Sequence, residues 1–213
     1  MNPEKFGQEN EHSESKQELE WQEYYEKSKQ LKPRWTLVQA LEFVTNRDSA
    51  LDIGAGSLKD AKYLLQENFN HVTALDVEPV AQKDADALPS DKFNYIITPV
   101  ESYDFPKNEY DFVSAQSVLP FLTNEEVSQV LENIMQSLKP DGILNGQIFG
   151  ENEYWEKFSH PVQSIYTKEE AENLITSLGG EVILFREVDR QEPNVHGSLR
   201  RFHYFNFIIK KSS

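Results

Sequence analysis

Short apolar runs alternate with amphipathic stretches along most of the chain, and each kind of run predicts one kind of element. The apolar runs predict strands at residues 49–53, 71–76, 93–98, 110–116 and 142–149. The amphipathic stretches between them predict helices at residues 57–67, 80–88 and 124–138. Strands that alternate with helices favour a parallel sheet covered on both faces, so the pattern indicates an α/β, doubly wound fold.

Helix start signals support this assignment. Thr123 precedes Glu126 by three residues, and the same spacing separates Thr167 from Glu170. This spacing predicts capping boxes, because the threonine oxygen and the glutamate satisfy backbone donors that the start of a helix leaves unpaired. An apolar face follows the second box at helical spacing, and the glycine pair at 179–180 is expected to end that helix.

The two ends of the chain differ from its alternating middle. Residues 1–20 contain six glutamates and few sizeable apolar side chains, so they predict a disordered acidic leader. Residues 21–45 predict two helices separated at Pro33, which breaks the helical pattern. Strands at 181–188 and 202–210 are predicted to close the chain, with a polar loop between them that leaves room for a hairpin return.

Length and charge restrict the function. A chain of 213 residues suffices for one well-buried domain, which we expect to span residues 21–213. The formal net charge is −15, from 36 acidic and 21 basic residues, and this excess would repel a phosphate backbone over most of the surface. The charge therefore disfavours nucleic acid as a partner and favours a small molecule.

Other compositional features concern the compartment and metals. The absence of cysteine excludes disulfides and is compatible with a reducing compartment. The first residues lack the features of a signal peptide, and no apolar run approaches the roughly 18 residues of a membrane span. We therefore expect a cytoplasmic protein that does not enter a membrane. The five histidines show no ligand spacing, and no metal site is predicted.

The first predicted strand runs directly into a turn with two glycines. Gly54, Ala55 and Gly56 follow the buried strand end at Asp52, and only glycine allows a sharp turn while a ligand lies against the backbone. A carboxylate here repels phosphate and suits an ammonium group or neutral hydroxyls. Lys59 occupies the place of the third glycine of a dinucleotide-binding loop, so the turn departs from the NAD pattern.

The other predicted strands also end in candidate ligand-binding residues. Asp76 closes the second strand and can accept both hydroxyls of a ribose. Val77 follows it, Val100 and Glu101 follow the third strand, and Gln116 follows the fourth. Because ligands of an open α/β sheet bind outside the carboxyl ends of its strands, these residues are candidates for one site. For Glu101, a solvated loop charge is an equal alternative.

Together these residues resemble one enzyme family. The D-x-G-x-G pattern at 52–56, followed by the acidic strand end at Asp76, is similar to the first two motifs of class I S-adenosylmethionine-dependent methyltransferases. The segments at 110–113 and 138–142 resemble the family's fourth-strand motif and its L-K-P-G-G turn, with Asp141 in place of the first glycine. The resemblance implies a Rossmann-like sheet of seven strands, mostly parallel, with an antiparallel last strand.

The resemblance also implies S-adenosylmethionine as cofactor and assigns roles within a cofactor-binding core at 49–149. Asp52 and the turn at 54–56 would hold the methionine portion, and Asp76 the ribose. Val100 and Glu101 would lie beside the adenine ring. The helices at 21–45 and the residues at 150–213 would form the acceptor side.

Two segments of the tail resemble a narrower group, the small-molecule methyltransferases related to tellurite- and thiopurine-modifying enzymes. These segments lie at 151–155 and 201–205. The likeness implies a small-molecule acceptor. From the residues themselves we predict that Trp155 forms a wall of the acceptor pocket, that Arg201, in a basic cluster on an acidic background, attracts an anionic acceptor, and that Tyr25 covers the cofactor at the substrate side. Each of the three also has a plainer interpretation, namely packing under a loop for Trp155, a surface charge for Arg201 and an amphipathic helix for Tyr25.

A catalytic base is needed only if the acceptor must lose a proton. His203 has the right chemistry to remove a proton at neutral pH, and Glu187 could orient it. The alternative is that His203 is a packed, hydrogen-bonded strand residue.

The sequence therefore predicts methyl transfer from S-adenosylmethionine to a small acceptor by in-line displacement. A non-catalytic protein that keeps the cofactor fold as a binding or interaction module is an alternative, and an NAD-type oxidoreductase is a further one. The acceptor atom and the oligomeric state remain open.

Overall fold

One mixed sheet organises the structure, a computed structural model that describes residue 23 and residues 25–153, 161–193 and 197–212. In these residues the sheet has seven strands: β1 (Ser49–Ile53), β2 (His71–Asp76), β3 (Phe93–Ile97), β4 (Tyr110–Ala115), β5 (Leu138–Phe149), β6 (Glu181–Pro193) and β7 (Leu199–Lys210). Their spatial order is β3-β2-β1-β4-β5-β7-β6.

Helices connect most of the strands. The α-helices are α1 (Trp35–Ala40), α2 (Lys59–Gln66), α3 (Gln82–Ala85), α4 (Asn124–Ser137) and α5 (Lys168–Ser177). Single 3₁₀ turns cover Leu41–Phe43, Pro79–Ala81, Val100–Ser102 and Leu119–Phe121. Residues 25–28 are also helical and precede α1. None of these helices combines the length and the apolar character that crossing a bilayer requires.

The strand directions confirm the predicted fold class. Strands β1 to β5 pair in parallel, and β7 pairs antiparallel with both β5 and β6. The strand order reverses between β1 and β4, where successive crossovers leave in opposite directions. Such a switch point opens a crevice at the carboxyl ends of the strands, which is where open α/β sheets bind ligands.

Many predicted boundaries agree with the structure. Strands β1 and β2 begin and end as predicted. Both capping boxes are present, since the Thr123 and Thr167 side chains accept from the backbone of Glu126 and Glu170, and each glutamate reaches back. The leader at residues 1–20 lies outside the described part of the chain.

The later strands are longer than predicted. Strand β5 begins at Leu138 instead of residue 142, because Leu138 already pairs with Tyr110 of β4. The register between β4 and β5 shifts after this pair, and Asp141, which lies in the shifted segment, has a φ of 63°. Strands β6 and β7 extend to Pro193 and Leu199, which face each other near the tip of the hairpin. The sequence there is polar and lacks the apolar alternation by which a half-buried strand is recognised.

Two apolar clusters cover the faces of the sheet. One packs α4 and α5 against the sheet, and the other packs α1 and α2. In the first cluster, Phe207 of β7 lies directly over Gly146 of β5, its register partner. A Cβ built on Gly146 would be 2.1 Å from Cζ of the ring, so this glycine provides the space that the ring fills.

Replacing Gly146 with alanine is therefore expected to destabilise the fold by roughly 1–3 kcal/mol, because the buried ring of Phe207 must move within a packed core. Urea unfolding measures this loss. Phe207→Leu alone serves as control, and the double variant is expected to lose less than the sum of the two single losses. A Gly146→Ala protein as stable as the parent would contradict this account of the contact.

Candidate functional site

A cavity of about 600 Å³ opens at the carboxyl ends of the central strands. This volume is typical of a small-molecule or cofactor site. Its lining includes these residues singled out in the sequence: Tyr25, Gly54, Ala55, Gly56, Asp76, Val77, Val100, Glu101 and Gln116. The structure thus brings residues from the N-terminal helical segment and from the ends of four strands to one place.

The glycine turn has the conformation that its sequence predicts. Gly54 and Gly56 have φ angles of 68° and 52°, in the left-handed region that glycine adopts without a steric penalty. A Cβ on Gly54 would lie 2.8 Å from Cβ of Val118, so the space beside the turn also excludes a larger residue. The N–H of Ala55 donates to the carbonyl of Leu75 at 2.9 Å and joins the turn to β2.

Asp76 at the end of β2 gathers several donors. The N–H of Gly56 donates to Oδ2 at 2.7 Å, and the N–H of Glu78 donates to Oδ1 at 2.9 Å. The hydroxyl of Tyr25 donates to Oδ1 at 3.2 Å. Burial raises the pKa of Asp76, and these hydrogen bonds act against that rise. The carboxylate therefore links the turn, the strand end and the N-terminal segment.

Asp52 lies at the end of β1 but does not contribute to the cavity lining. Its side chain is buried, and Oδ2 has no hydrogen-bond partner among the described residues. Burial, followed by the negative charge of Asp60, raises the pKa of Asp52 to about 7. An unpartnered carboxylate beneath the glycine turn favours positive charge nearby.

Two cations of the cavity wall surround Asp60 at the start of α2. The Arg34 guanidinium contacts Asp60 at 2.6 Å, and the Lys59 ammonium contacts it at 2.8 Å. Burial acts to raise the pKa of Asp60, but the two cations outweigh it, and the pKa is lowered. Burial lowers the pKa of Lys59. Sequence reasoning did not assign Arg34 or Lys59 to the site, although Lys59 stands where a dinucleotide loop has its third glycine.

A polar chain crosses the floor of the cavity. The Ser117 hydroxyl donates to Gln147 Oε1 at 3.0 Å, and the Gln147 amide donates to Asn206 Oδ1 at 3.1 Å. Arg34 Nη2 reaches the Ser117 hydroxyl at 3.4 Å. Ser117 has a φ of 60°, which is uncommon for a residue other than glycine and is found at functional sites. This chain links the wall at α1 to β5 and β7.

The far end of the cavity is largely aromatic. Phe121, Phe149, Phe202 and Tyr204 are among its lining residues. Next to them, the Arg200 guanidinium lies 4.2 Å from the centre of the Phe202 ring. These side chains provide an apolar wall of a kind that accepts a flat or apolar molecule.

An ion pair lies within this aromatic end. Arg200 binds Glu153, and their side chains are only 9% and 1% exposed. The backbone N–H of His203 donates to the second oxygen of Glu153. Burial raises the pKa of Glu153, while the hydrogen bond and Arg200 oppose the rise. The sequence prediction assigned neither residue to the site. Glu153 nevertheless lies within the 151–155 segment that resembles the narrower group, and Arg200 precedes the predicted Arg201.

The structure places one predicted substrate residue, Arg201, differently from expectation. Arg201 is exposed, does not line the cavity and contacts Asp189 at 2.7 Å; its neighbour Arg200 lines the wall instead. Successive side chains of a strand point to opposite faces, so an error of one residue selects the wrong face. Trp155 lies outside the described residues.

The predicted pair His203 and Glu187 is in contact but outside the cavity lining. Nε2 of His203 lies 3.1 Å from Glu187 Oε1, and Nδ1 accepts the N–H of Asn152 at 3.0 Å. The His203 ring packs on Gly150, where a Cβ would lie 2.4 Å from the ring. His203 is 2% exposed and shares its strand face with Arg201. Its position fits the packed, hydrogen-bonded alternative and argues against proton removal from a ligand in the cavity.

Within the described residues, no group of three or more histidine, aspartate or glutamate side chains is placed to hold a metal ion.

A positive-φ glycine turn after β1, an acidic residue closing β2 and a cavity at the switch point define a nucleoside-binding site of the Rossmann-like class. Residues 51–145 match the family model described as a methyltransferase domain. These residues form a methyltransferase domain, which supports the resemblance to the class I S-adenosylmethionine-dependent methyltransferases. The cofactor of this family is S-adenosylmethionine, as the sequence predicts. No curated protein matches the chain.

Solved structures share the fold at low identity. An S-adenosylmethionine-dependent methyltransferase from Methanosarcina mazei is 20% identical with a TM-score of 0.65, covering 85% of this chain and 99% of that one. The 1,6-didemethyltoxoflavin-N1-methyltransferase from Burkholderia thailandensis is 20% identical with a TM-score of 0.63, covering 84% and 78%. TehB from Haemophilus influenzae is 14% identical with a TM-score of 0.69, covering 84% and 62%.

The buried carboxyl of Asp52 has a measurable consequence for stability. The folded protein keeps its proton up to a pH of about 7, whereas an unshifted carboxyl loses it near 3.8. Because the folded state binds more protons between these values, stability is expected to fall as pH rises through this window. Asp52→Asn removes the ionised form and is expected to increase the free energy of unfolding at pH 8 by roughly 1–3 kcal/mol.

Urea unfolding at pH 4.5, 6 and 8 tests this expectation, with Asp86→Asn, an exposed aspartate directly after α3, as control. The gain from Asp52→Asn should be largest at pH 8 and smallest at pH 4.5. A gain that grows toward low pH would contradict the assigned burial penalty.

Proposed function

We propose that the protein is an enzyme that transfers a methyl group from S-adenosylmethionine to a small-molecule acceptor. The observation that carries this proposal is the cavity itself, in which the glycine turn and Asp76 lie at one end and an aromatic wall at the other. A cavity with two such ends suits a cofactor and an acceptor, which must lie next to each other for methyl transfer. One structural neighbour, the didemethyltoxoflavin methyltransferase with bound 1,6-didemethyltoxoflavin, is consistent with a small acceptor.

The residues at the first end fit the cofactor. Asp76 would accept the ribose hydroxyls, and the backbone at Gly54 and Gly56 allows close approach of the methionine portion. Arg34 and Lys59 place positive charge on the wall, where a carboxylate group is favoured. The unpartnered oxygen of Asp52 supplies a negative field beneath the turn, which favours an ammonium group. Val100 and Glu101 would flank the adenine.

When bound, the cofactor supplies an electrophilic methyl group on a positively charged sulfur. The task of the protein is then to align the acceptor and to exclude water, and alignment alone can contribute several kcal/mol. The aromatic end suits this task, because Phe121, Phe149 and Phe202 offer rigid apolar surface. Beside these rings, the buried charges of Arg200 and Glu153 neutralise each other.

The aromatic end also refines the expected acceptor. Arg201, the predicted anchor for an anionic acceptor, is held by Asp189 outside the cavity. Arg200 within the cavity is neutralised by Glu153. We therefore propose that the acceptor is neutral and has a flat or apolar body. We also propose that the enzyme is cytoplasmic.

Cofactor binding by Asp76 provides the first test. Asp76→Ala is expected to raise the dissociation constant of S-adenosylhomocysteine at least about tenfold, because hydrogen bonds to a charged group are lost. Isothermal titration calorimetry measures this change, and Asp91→Ala, an exposed aspartate in the turn before β3, serves as matched control. Equal affinity of Asp76→Ala and the parent would exclude the ribose role.

Turnover separates an enzyme from a non-catalytic binding module. Incubation with S-adenosylmethionine and a set of small aromatic acceptors should yield S-adenosylhomocysteine with at least one of them. Tight cofactor binding without turnover of any acceptor would favour the module.

Ionisation of Asp52 is expected to make cofactor binding depend on pH. The pKa of about 7 means that the carboxyl is largely neutral at pH 6 and largely ionised at pH 8. Because only the ionised form attracts the ammonium group, the affinity for S-adenosylhomocysteine should be weaker at pH 6, by up to about tenfold. Titrations at both pH values measure this difference. Asp52→Asn should bind more weakly at pH 8 and lose the pH dependence, and a parent affinity that is unchanged or tighter at pH 6 would contradict the role.

A further inference from the structure

The hydroxyl of Tyr25 holds one of the carboxylate oxygens that we assign to the ribose. It donates to Asp76 Oδ1 at 3.2 Å, and the N–H of Glu78 donates to the same oxygen at 2.9 Å. The N–H of Gly56 donates to Oδ2 at 2.7 Å. A carboxylate offers about four lone-pair positions, two on each oxygen. The backbone N–H of Val77 is a fourth donor to this carboxylate. The four donors together use the positions that the carboxylate offers.

The ring of Tyr25 also covers the glycine turn. A Cβ built on Gly56 would lie 3.2 Å from Cε1 of Tyr25, so the ring packs on the backbone of the turn. Tyr25 is 4% exposed and lines the same cavity as Gly54 and Asp76. Its ring and its hydroxyl thus occupy the face of the turn that a nucleoside must approach.

The segment that carries Tyr25 is attached to the domain at further points. The Lys29 ammonium contacts Asp84 of α3 at 2.8 Å. Arg34, just before α1, contacts Asp60 of α2 at 2.6 Å. Release of the Tyr25 hydroxyl from Asp76 therefore leaves this segment held by two ion pairs.

We propose that Tyr25 competes with the ribose for Asp76 and thereby sets the affinity for the cofactor. This inference rests on the proposed function, in which Asp76 accepts both ribose hydroxyls. Two ribose hydroxyls cannot be added to a carboxylate that already accepts four hydrogen bonds. Tyr25 is the donor among them that belongs to a side chain, so ribose binding requires its hydroxyl to leave Oδ1. A ligand without the diol does not displace the hydroxyl and does not bear this cost, so Tyr25 reduces the affinity that the site gains from an intact ribose.

Tyr25→Phe tests the competition, because it removes the hydroxyl and keeps the ring. Its dissociation constant for S-adenosylhomocysteine, measured by calorimetry, is expected to be about 3- to 10-fold lower than that of the parent. Tyr63→Phe on α2, a half-buried tyrosine outside the cavity lining, is the matched control and should bind as the parent does. Adenosine should gain from Tyr25→Phe to a similar extent, whereas 2′,3′-dideoxyadenosine should not.

Unchanged or weaker binding of S-adenosylhomocysteine to Tyr25→Phe would overturn the inference. An equal gain for adenosine and its dideoxy analogue would also overturn it, because the gain would then come from the ring and not from the diol. If Asp76→Ala weakens binding while Tyr25→Phe has no effect, the competition fails and the ribose role of Asp76 stands. If the parent does not bind S-adenosylhomocysteine, both the inference and the proposed function fail.

Discussion

The site depends on the hydrogen bonds that the carboxylate of Asp76 accepts. This carboxylate receives the backbone N–H of Gly56 from one side and that of Glu78 from the other, so it fixes the distance between the glycine turn and the end of β2. The same group receives the Tyr25 hydroxyl from the N-terminal segment. Hydrogen bonds to a buried charge are stronger than those between neutral groups, which makes one side chain sufficient to organise three pieces of chain.

Charge inside the fold is arranged in two different ways. Asp60 is surrounded by Arg34 and Lys59, and its pKa is lowered. Within the part of the chain that the structure describes, Oδ2 of Asp52 has no hydrogen-bond partner, and burial raises the pKa of this carboxyl. A buried carboxylate without a partner is costly to the folded state. Such a cost is tolerated where a ligand offsets it, which is the relation between stability and function that many binding sites show.

The sequence predicts the central strands better than the last ones, for physical reasons. Strands β1 and β2 are short apolar runs with clear ends, and their boundaries were correct. The tips of β6 and β7 are polar and are held by pairing with each other, which the hydropathy pattern does not record. The start of β5 was missed because Asp141 adopts a left-handed conformation within the strand, where the pattern indicated a turn.

The residues of the candidate site also differ in how well the sequence predicts them. Gly54, Gly56 and Asp76 belong to a local motif whose chemistry depends on the backbone, and the structure brings them together. Arg34 reaches Asp60 across 26 positions of sequence, and Glu153 reaches Arg200 across 47. Pairs so distant depend on tertiary packing. The orientation of β7 was equally hidden, since a strand with polar residues on both faces does not reveal which face holds His203.

The hairpin of β6 and β7 extends past the edge of the sheet. Strand β5 pairs with β7 only up to Tyr204, whereas β6 continues to pair with it as far as Leu199. Arg200 and Phe202 therefore stand on a two-stranded ribbon that projects from the sheet, while the glycine turn and Asp76 stand on its centre. Two-stranded ribbons have little stability of their own, so changes within one cost the rest of the domain little. The aromatic end of the cavity can therefore change without disturbing the glycine turn and Asp76, which lie at the ends of the central strands.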